Sequence, residues 1–169
     1  AALSDTFFRA RAAANLAFKQ NVGVLAEQAA AHSTLPTAQT IALSPLTVPN
    51  TVLSGQNFGK TFSVAAAVVT GEISAGSEAD FYEFSGTAGD LMNMEVVSDL
   101  IATILDPIDS EIRVFDAAGD LVPYYTSTAF NNDELENTDS ILIDLLLPET
   151  GDYYVKVNAV GVADIGDYE

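Results

Sequence analysis

From Phe62 onward the apolar residues of this chain recur at every second position, and glycine-bearing polar turns interrupt them at short intervals. No other feature constrains the fold as much. Period two marks strands with one buried face, and the turns leave no room for helices between them. The candidate strands are Phe62–Val69, Glu72–Ser74, Asp80–Ser85, Leu91–Ser98, Glu111–Asp116, Leu121–Tyr125, Ile141–Leu147 and Tyr153–Asn158. The separators are turn chemistry, from Ser74-Ala-Gly-Ser77 and Gly86-Thr-Ala-Gly-Asp90 to Asp116-Ala-Ala-Gly-Asp120 and Pro148-Glu-Thr-Gly-Asp152. Alternation puts Tyr82 and Phe84 on one face; it likewise groups Met92, Met94 and Val96, then Ile141, Ile143, Leu145 and Leu147, then Tyr153, Val155 and Val157. These sets read as the inner faces of two packed sheets. The expected fold is mainly β, an antiparallel β-sandwich of jelly-roll type over residues 62–169.

The N-terminal part has a different texture. Residues 1–31 are rich in Ala, Leu, Gln and Glu, with Ser4 or Asp5 as cap and Phe8, Ala12 and Leu16 on one stripe. They predict a helical segment, kinked or broken at Gly23, that packs on the sandwich or on a neighbouring domain. Residues 32–61 predict a loop and edge-strand linker, because Pro36, Pro45 and Pro49 interrupt anything longer than Thr40–Leu43 or Thr51–Leu53. The string SGQNFGKT, Ser54 to Thr61, looks like a phosphate-binding loop but lacks its first glycine and leads into a strand, so it reads as a turn. The chain has no initiator Met and no legible signal peptide, which fits a processed or trimmed product. Asp164 to Glu169 reads as a turn and the opening of one more strand, short or cut.

Charge narrows the function classes. Of the 169 residues, 24 are Asp or Glu and six are Lys or Arg, a net charge of −18. Residues 1–71 hold two acids and four bases, whereas residues 72–169 hold 22 acids and two bases. Such a body repels nucleic acid and anionic membranes and suits cations, basic partners or a salty medium. No apolar run is long enough to span a bilayer, so no membrane insertion is expected. Cysteine is absent, which removes disulfides and thiolate metal sites.

Catalytic chemistry finds little to work with. His32 is the one histidine, and it reads as a surface residue without a role. There is neither a G-x-S-x-G elbow nor an H-E-x-x-H pair, and no enzyme is expected. Oxygen donors for a hard cation gather in two places: at Glu78 and Asp80, and at Asn131, Asn132, Asp133, Glu134, Glu136 and Asp139, with Asp116 joining across the sheet end. Tyr124, Tyr125 and Phe130 form an aromatic group able to stack on a sugar or grip a peptide.

Four strings occur in a telling order: DFYEFSGTAGD from Asp80, LDPIDSEIRVFDAAGDLV from Leu105, NND…TDS from Asn131, and LPETGDYYVKV from Leu147. Together they resemble the bacterial pre-peptidase C-terminal domain family, with a fainter echo at Leu35–Ile41. The resemblance implies a non-catalytic, calcium-assisted β-sandwich of a secreted or surface protein, related to the collagen-binding modules of clostridial collagenases. It implies help with substrate or matrix binding, or with secretion. The partners would be an extracellular protein or polysaccharide and other domains of the parent protein. It also implies carboxylate ligands for calcium at Glu78 and Asp80. The chain departs from that pattern at Ala30–Thr34, where the family carries an acidic or amide cluster and this chain carries His32. A ligand-free spacer in a multidomain exoprotein is the alternative.

Overall fold

The structure is a computed structural model that describes residues 22–49, 61–98, 106–132 and 138–169. Its strands are β1 (Val24–Ala26), β2 (Gln39–Thr40), β3 (Ser44–Pro49), β4 (Thr61–Ala66), β5 (Val68–Ile73), β6 (Ala79–Gly86) and β7 (Leu91–Val96). Then follow β8 (Ser110–Phe115), β9 (Pro123–Tyr124), β10 (Ser127–Thr128), β11 (Phe130–Asn131), β12 (Ser140–Leu146), β13 (Gly151–Ala159) and β14 (Gly166–Tyr168). A single turn of 3-10 helix covers Leu35–Thr37. The chain is mainly β, as its period-two pattern requires, and is built from several sheets in a sandwich-like arrangement.

The residues fall into two compact units, one formed by Ala1–Leu25 and Ala42–Val68, the other by Ala26–Ile41 and Val69–Glu169. In the first, β3 and β4 pair antiparallel from Ser44 with Ala66 to Pro49 with Thr61. The expected linker is therefore partly strand. Its prolines cause no conflict: Pro45 and Pro49 are four apart, share one parity, and sit on a strand that pairs along one edge among the described residues, where every second amide points away from the ladder.

The second unit holds the sandwich. Its larger sheet has the order β11-β8-β13-β6-β2, antiparallel except for the parallel pair β2 and β6. Register fixes which side chains share its inner face. Val114, Val155 and Tyr82 form one row; Ile112, Val157 and Asp80 form the next; Tyr153 stands opposite Phe84. Against this face lie Leu142 and Leu145 of β12, with Leu147, Val96, Ile73 and Tyr168, all buried. On this side β12 pairs with β7 and β14 pairs with β5. Val97 and Glu169 exchange both backbone hydrogen bonds, at 2.6 and 2.9 Å, and so join the end of β7 to the end of β14. Phe84 stacks on Tyr153 with ring centroids 5.7 Å apart.

Two expectations change here. Alternation along Ile141–Leu147 put Ile141 and Ile143 inside. Instead Leu142, Leu145 and Leu147 are buried and Ile143 is exposed, because the register shifts between Leu142 and Leu145. A β-bulge adds one residue and flips the faces on either side of it. Asp144 takes a positive φ of 56° there, and its N–H donates to Asn93 Oδ1 at 2.8 Å. The second change concerns the expected helix. Residues 1–21 lie outside the described residues, but Val24–Ala26 is strand and Glu27–Ser33 is irregular. Gly23, at φ 80°, breaks any helical run. Beyond it sheet-edge contacts outweigh alanine's weak helix preference. Glu27 N–H donates to Thr70 O at 2.8 Å, and the Gln39 amide binds both Gln28 N–H at 2.7 Å and Ala26 O at 3.1 Å. The short strand Thr51–Leu53 and the turn-like SGQNFGKT string lie, but for Thr61, outside the described residues. No described helix is long and apolar enough to cross a membrane.

Candidate functional site

Asp80 is the residue from which the site grows. Strand parity forces its carboxylate onto the inner face of the larger sheet, in the row of Ile112 and Val157. It is about 2% exposed. A carboxylate so placed needs partners, because a bare buried charge is costly. Tyr168 supplies one: its hydroxyl donates to Asp80 Oδ2 at 2.7 Å. With that proton committed, the Tyr82 hydroxyl is the donor in its 2.6 Å bond to the Tyr168 oxygen. Gly71 makes the arrangement fit. It pairs with Tyr168, and a Cβ there would stand 2.5 Å from the tyrosine's Cζ and hydroxyl.

His32 supplies the other partner. The reading of His32 as a surface residue is corrected: it is 3% exposed. Its carbonyl accepts from Phe81 N–H at 2.8 Å, which docks residues 31–33 on the edge of β6. Its ring lies 5.3 Å from that of Tyr82. Nδ1 faces Ala30 O at 3.2 Å, and a carbonyl only accepts, so Nδ1 carries a proton. Nε2 points to Asp80 Oδ1 at 3.4 Å and Glu27 Oε1 at 3.8 Å. Within hydrogen-bond geometry Nε2 has no partner, although it is buried. Glu27 is held from the far side, its Oε2 accepting from Glu72 N–H at 2.8 Å.

The electrostatics follow from burial. Removal from water pushes the Asp80 carboxyl up, to about 6, against the Tyr168 hydrogen bond; the charge of Glu27 pushes the same way, and His32 pulls back. Burial also raises both Tyr82 and Tyr168, so these hydroxyls keep their protons and remain donors. Among the described residues, the Asp, Glu and His donors that converge within 4.8 Å of one another are those of Glu27, His32 and Asp80. This is a metal-binding group in its composition. An open groove lined by Glu27, Gly71, Glu72, Asp167, Tyr168 and Glu169 runs beside it.

Of the sequence-derived donors, Asp80 stands in this group and the others take other places. Glu78 closes the Ser74–Ser77 turn: one of its oxygens accepts from Ser74 N–H at 2.7 Å and from Ser74 Oγ and Ala75 N–H at 2.8 Å. Modest burial pulls its carboxyl up, but those hydrogen bonds and the nearby His32 bring it below the usual value. Asp116 folds its own turn, accepting from Ala118 N–H at 2.9 Å and Asp120 N–H at 3.0 Å. Asp139 is buried and accepts from Ser98 N–H at 2.8 Å. Asp139 lies by Ser110, at the start of β8, because Ser110 N–H donates to the neighbouring Thr138 O. Asp116 follows the other end of that strand, roughly 20 Å away at strand rise. Asn131 Oδ1 accepts from Ile141 N–H at 3.0 Å. Asn132 is half-buried beside it; Asp133, Glu134 and Glu136 lie outside the described residues.

The aromatic group divides. Tyr124 is half-buried and tied to β12, its hydroxyl donating to Ile143 O at 2.9 Å and accepting from Ile143 N–H at 3.1 Å. Tyr125 is 80% exposed at the tip of the β9–β10 hairpin. Its ring meets Tyr124 edge-on at 4.7 Å. Phe130 is 40% exposed and lies under the Arg113 guanidinium at 5.1 Å.

The sequence matches no family model and no curated protein. Among solved structures, the chain is similar to the pre-peptidase C-terminal domain of collagenase from Bacillus anthracis, with 13% identity and a TM-score of 0.44, over 78% of this chain and 90% of that one. That is the family which the four sequence landmarks resemble.

Proposed function

We propose that this chain is a non-catalytic accessory β-sandwich of a secreted or surface protein, and that it holds an extracellular protein or polysaccharide through Tyr125. The observation that carries this reading is the state of that residue. Tyr125 occupies the first of the two turn residues between the paired Tyr124 and Ser127, with a positive φ of 49°. Glycine or asparagine is the ordinary occupant of such a position. A bulky side chain there costs about 1–2 kcal/mol. Most of the ring nonetheless faces solvent, so burial does not offset that cost. Strain held at an exposed aromatic is a mark of a contact residue. A flat phenol on a rigid hairpin, braced by Tyr124, can stack on a sugar ring or a peptide. The 22 acids of residues 72–169 select against anionic polymers and favour a neutral polysaccharide or a cationic protein.

The calcium that the sequence resemblance implies does not suit the donors at Asp80. Calcium takes six to eight oxygens. Here a turn occupies one Glu78 oxygen, Tyr168 occupies one Asp80 oxygen, and the N-terminal segment brings an imidazole nitrogen. The calcium component is set aside from this reading.

The test is Tyr125→Asn. Relief at the positive φ offsets loss of the edge-on ring contact, so the urea midpoint is expected to move by no more than about 1 kcal/mol in stability. Co-sedimentation with insoluble neutral polysaccharides and with basic protein fibres should find retention by the natural chain and at least a tenfold weaker retention by the variant. Equal retention of both, or none by either on every polymer tried, would move the ligand-free spacer ahead.

A further inference from the structure

We infer that Glu27, His32 and Asp80 form a site for one borderline divalent cation of the zinc class. Because His32 Nδ1 donates to Ala30 O, the neutral ring presents the lone pair of Nε2 toward Asp80 Oδ1 at 3.4 Å and Glu27 Oε1 at 3.8 Å. Three acceptors then face one another around a point that is closed on two sides, with His32 and Asp80 each 3% exposed and Glu27 24% exposed. A cation at that point would pair all three acceptors at once.

The outer atoms favour the ion. Each residue spends its far atom on a positioning contact and leaves its near atom free. Ala30 O holds Nδ1 at 3.2 Å, the Tyr168 hydroxyl holds Asp80 Oδ2 at 2.7 Å, and Glu72 N–H holds Glu27 Oε2 at 2.8 Å. Metal sites orient their ligands in this way. The spacing fits as well. Bonds of about 2.0–2.1 Å to a tetrahedral ion put neighbouring donors about 3.3–3.4 Å apart. The His32–Asp80 distance already meets that figure, and half-exposed Glu27 needs a small rotation. Two carboxylates and a neutral imidazole balance a dication, and one imidazole with two carboxylates suits zinc, cobalt or nickel better than calcium or magnesium. The fourth position opens past Glu27 into the acid-lined groove, which draws cations in and admits water.

The test uses the whole chain stripped with EDTA. Isothermal titration and thermal melts are run with zinc, cobalt, calcium and magnesium at matched ionic strength, on the natural chain and on Glu27→Gln and His32→Gln. One zinc per chain is expected, with a raised midpoint that calcium and magnesium do not match. Cobalt should give the intense visible absorption of four-coordinate ions. Glu27→Gln, on the rim and expected to fold, should weaken zinc at least tenfold. If His32→Gln fails to fold, the imidazole is followed by nitrogen NMR in the natural chain, where zinc should shift Nε2 and leave Nδ1 protonated. Equal responses to calcium and zinc, zinc affinity untouched by Glu27→Gln, or an Nε2 resonance unmoved at saturating zinc would each overturn the site. None of these results bears on Tyr125, so the site and the binding reading stand or fall separately.

Discussion

Replacing Tyr168 by phenylalanine is expected to lower stability by about 2–3 kcal/mol, the range for losing a buried hydrogen bond to a charged group. The ring would remain against Gly71, so packing changes little. What disappears is the one oxygen that both donates to Asp80 Oδ2 and accepts from Tyr82. Both groups would be left buried without those bonds. Urea denaturation measures the loss directly, with an unchanged slope expected because the surface exposed on unfolding is the same. Tyr168→Ala should cost more, since it also leaves the space above Gly71 empty. A loss below about 0.5 kcal/mol for the phenylalanine variant would mean that water reaches Asp80 and that the inner face is open at this end.

Phe84→Ala is expected to be the most damaging single change, at about 3–5 kcal/mol. Phe84 is 2% exposed, stacks on Tyr153 and belongs to the strand that pairs with β13 along eight residues. Against a total stability of about 5–15 kcal/mol for a domain, that loss is a large share, and at the low end of the range nearly all of it. Thermal scans should show a large fall in the midpoint or no cooperative transition. Phe84→Leu, which keeps most of the volume, should lose less than half as much if packing is the cause.

Phe84 was legible from the chain alone, and the reason separates what could be read from what could not. Regular alternation reports the core directly, so the strands around Tyr82, Val114 and Tyr153 follow from period two. The same parity held the key to the site. Asp80 is two residues before Tyr82 and four before Phe84, and must share their inward face. A carboxylate at a core position is a demand for partners, and Asp80 was among the donors the sequence offered; its partners were not. His32 was harder to find. It follows three alanines, a context that favours helix, and its burial comes from backbone contacts with Phe81 that have no sequence signature. Glu27 and Tyr168 are distant in sequence from Asp80, and pairing of β14 with β5 brings Tyr168 to it. The bulge at Ile143 and Asp144 was invisible for a related reason, since it depends on Asn93 and Tyr124 from other elements. Glu78 and Asp116 belong to the hydrogen bonding of their own turns, the commonest fate of acids beside glycine-rich turns, whereas Asp139 holds the distant Ser98.

The central place of β13 in the larger sheet has a consequence in time. β6 and β8 do not pair with each other; each pairs with β13, which lies far beyond both in the chain. A chain emerging from its N-terminal end must therefore carry two unsatisfied strand edges until residues 151–159 appear. The sheet then closes through distant pairings, whose loop-closure entropy is spent before most contacts form. Folding should be slow for a domain of this size, on the scale of milliseconds to seconds, and gated by its last third. Until then its dense negative charge keeps neighbouring chains apart.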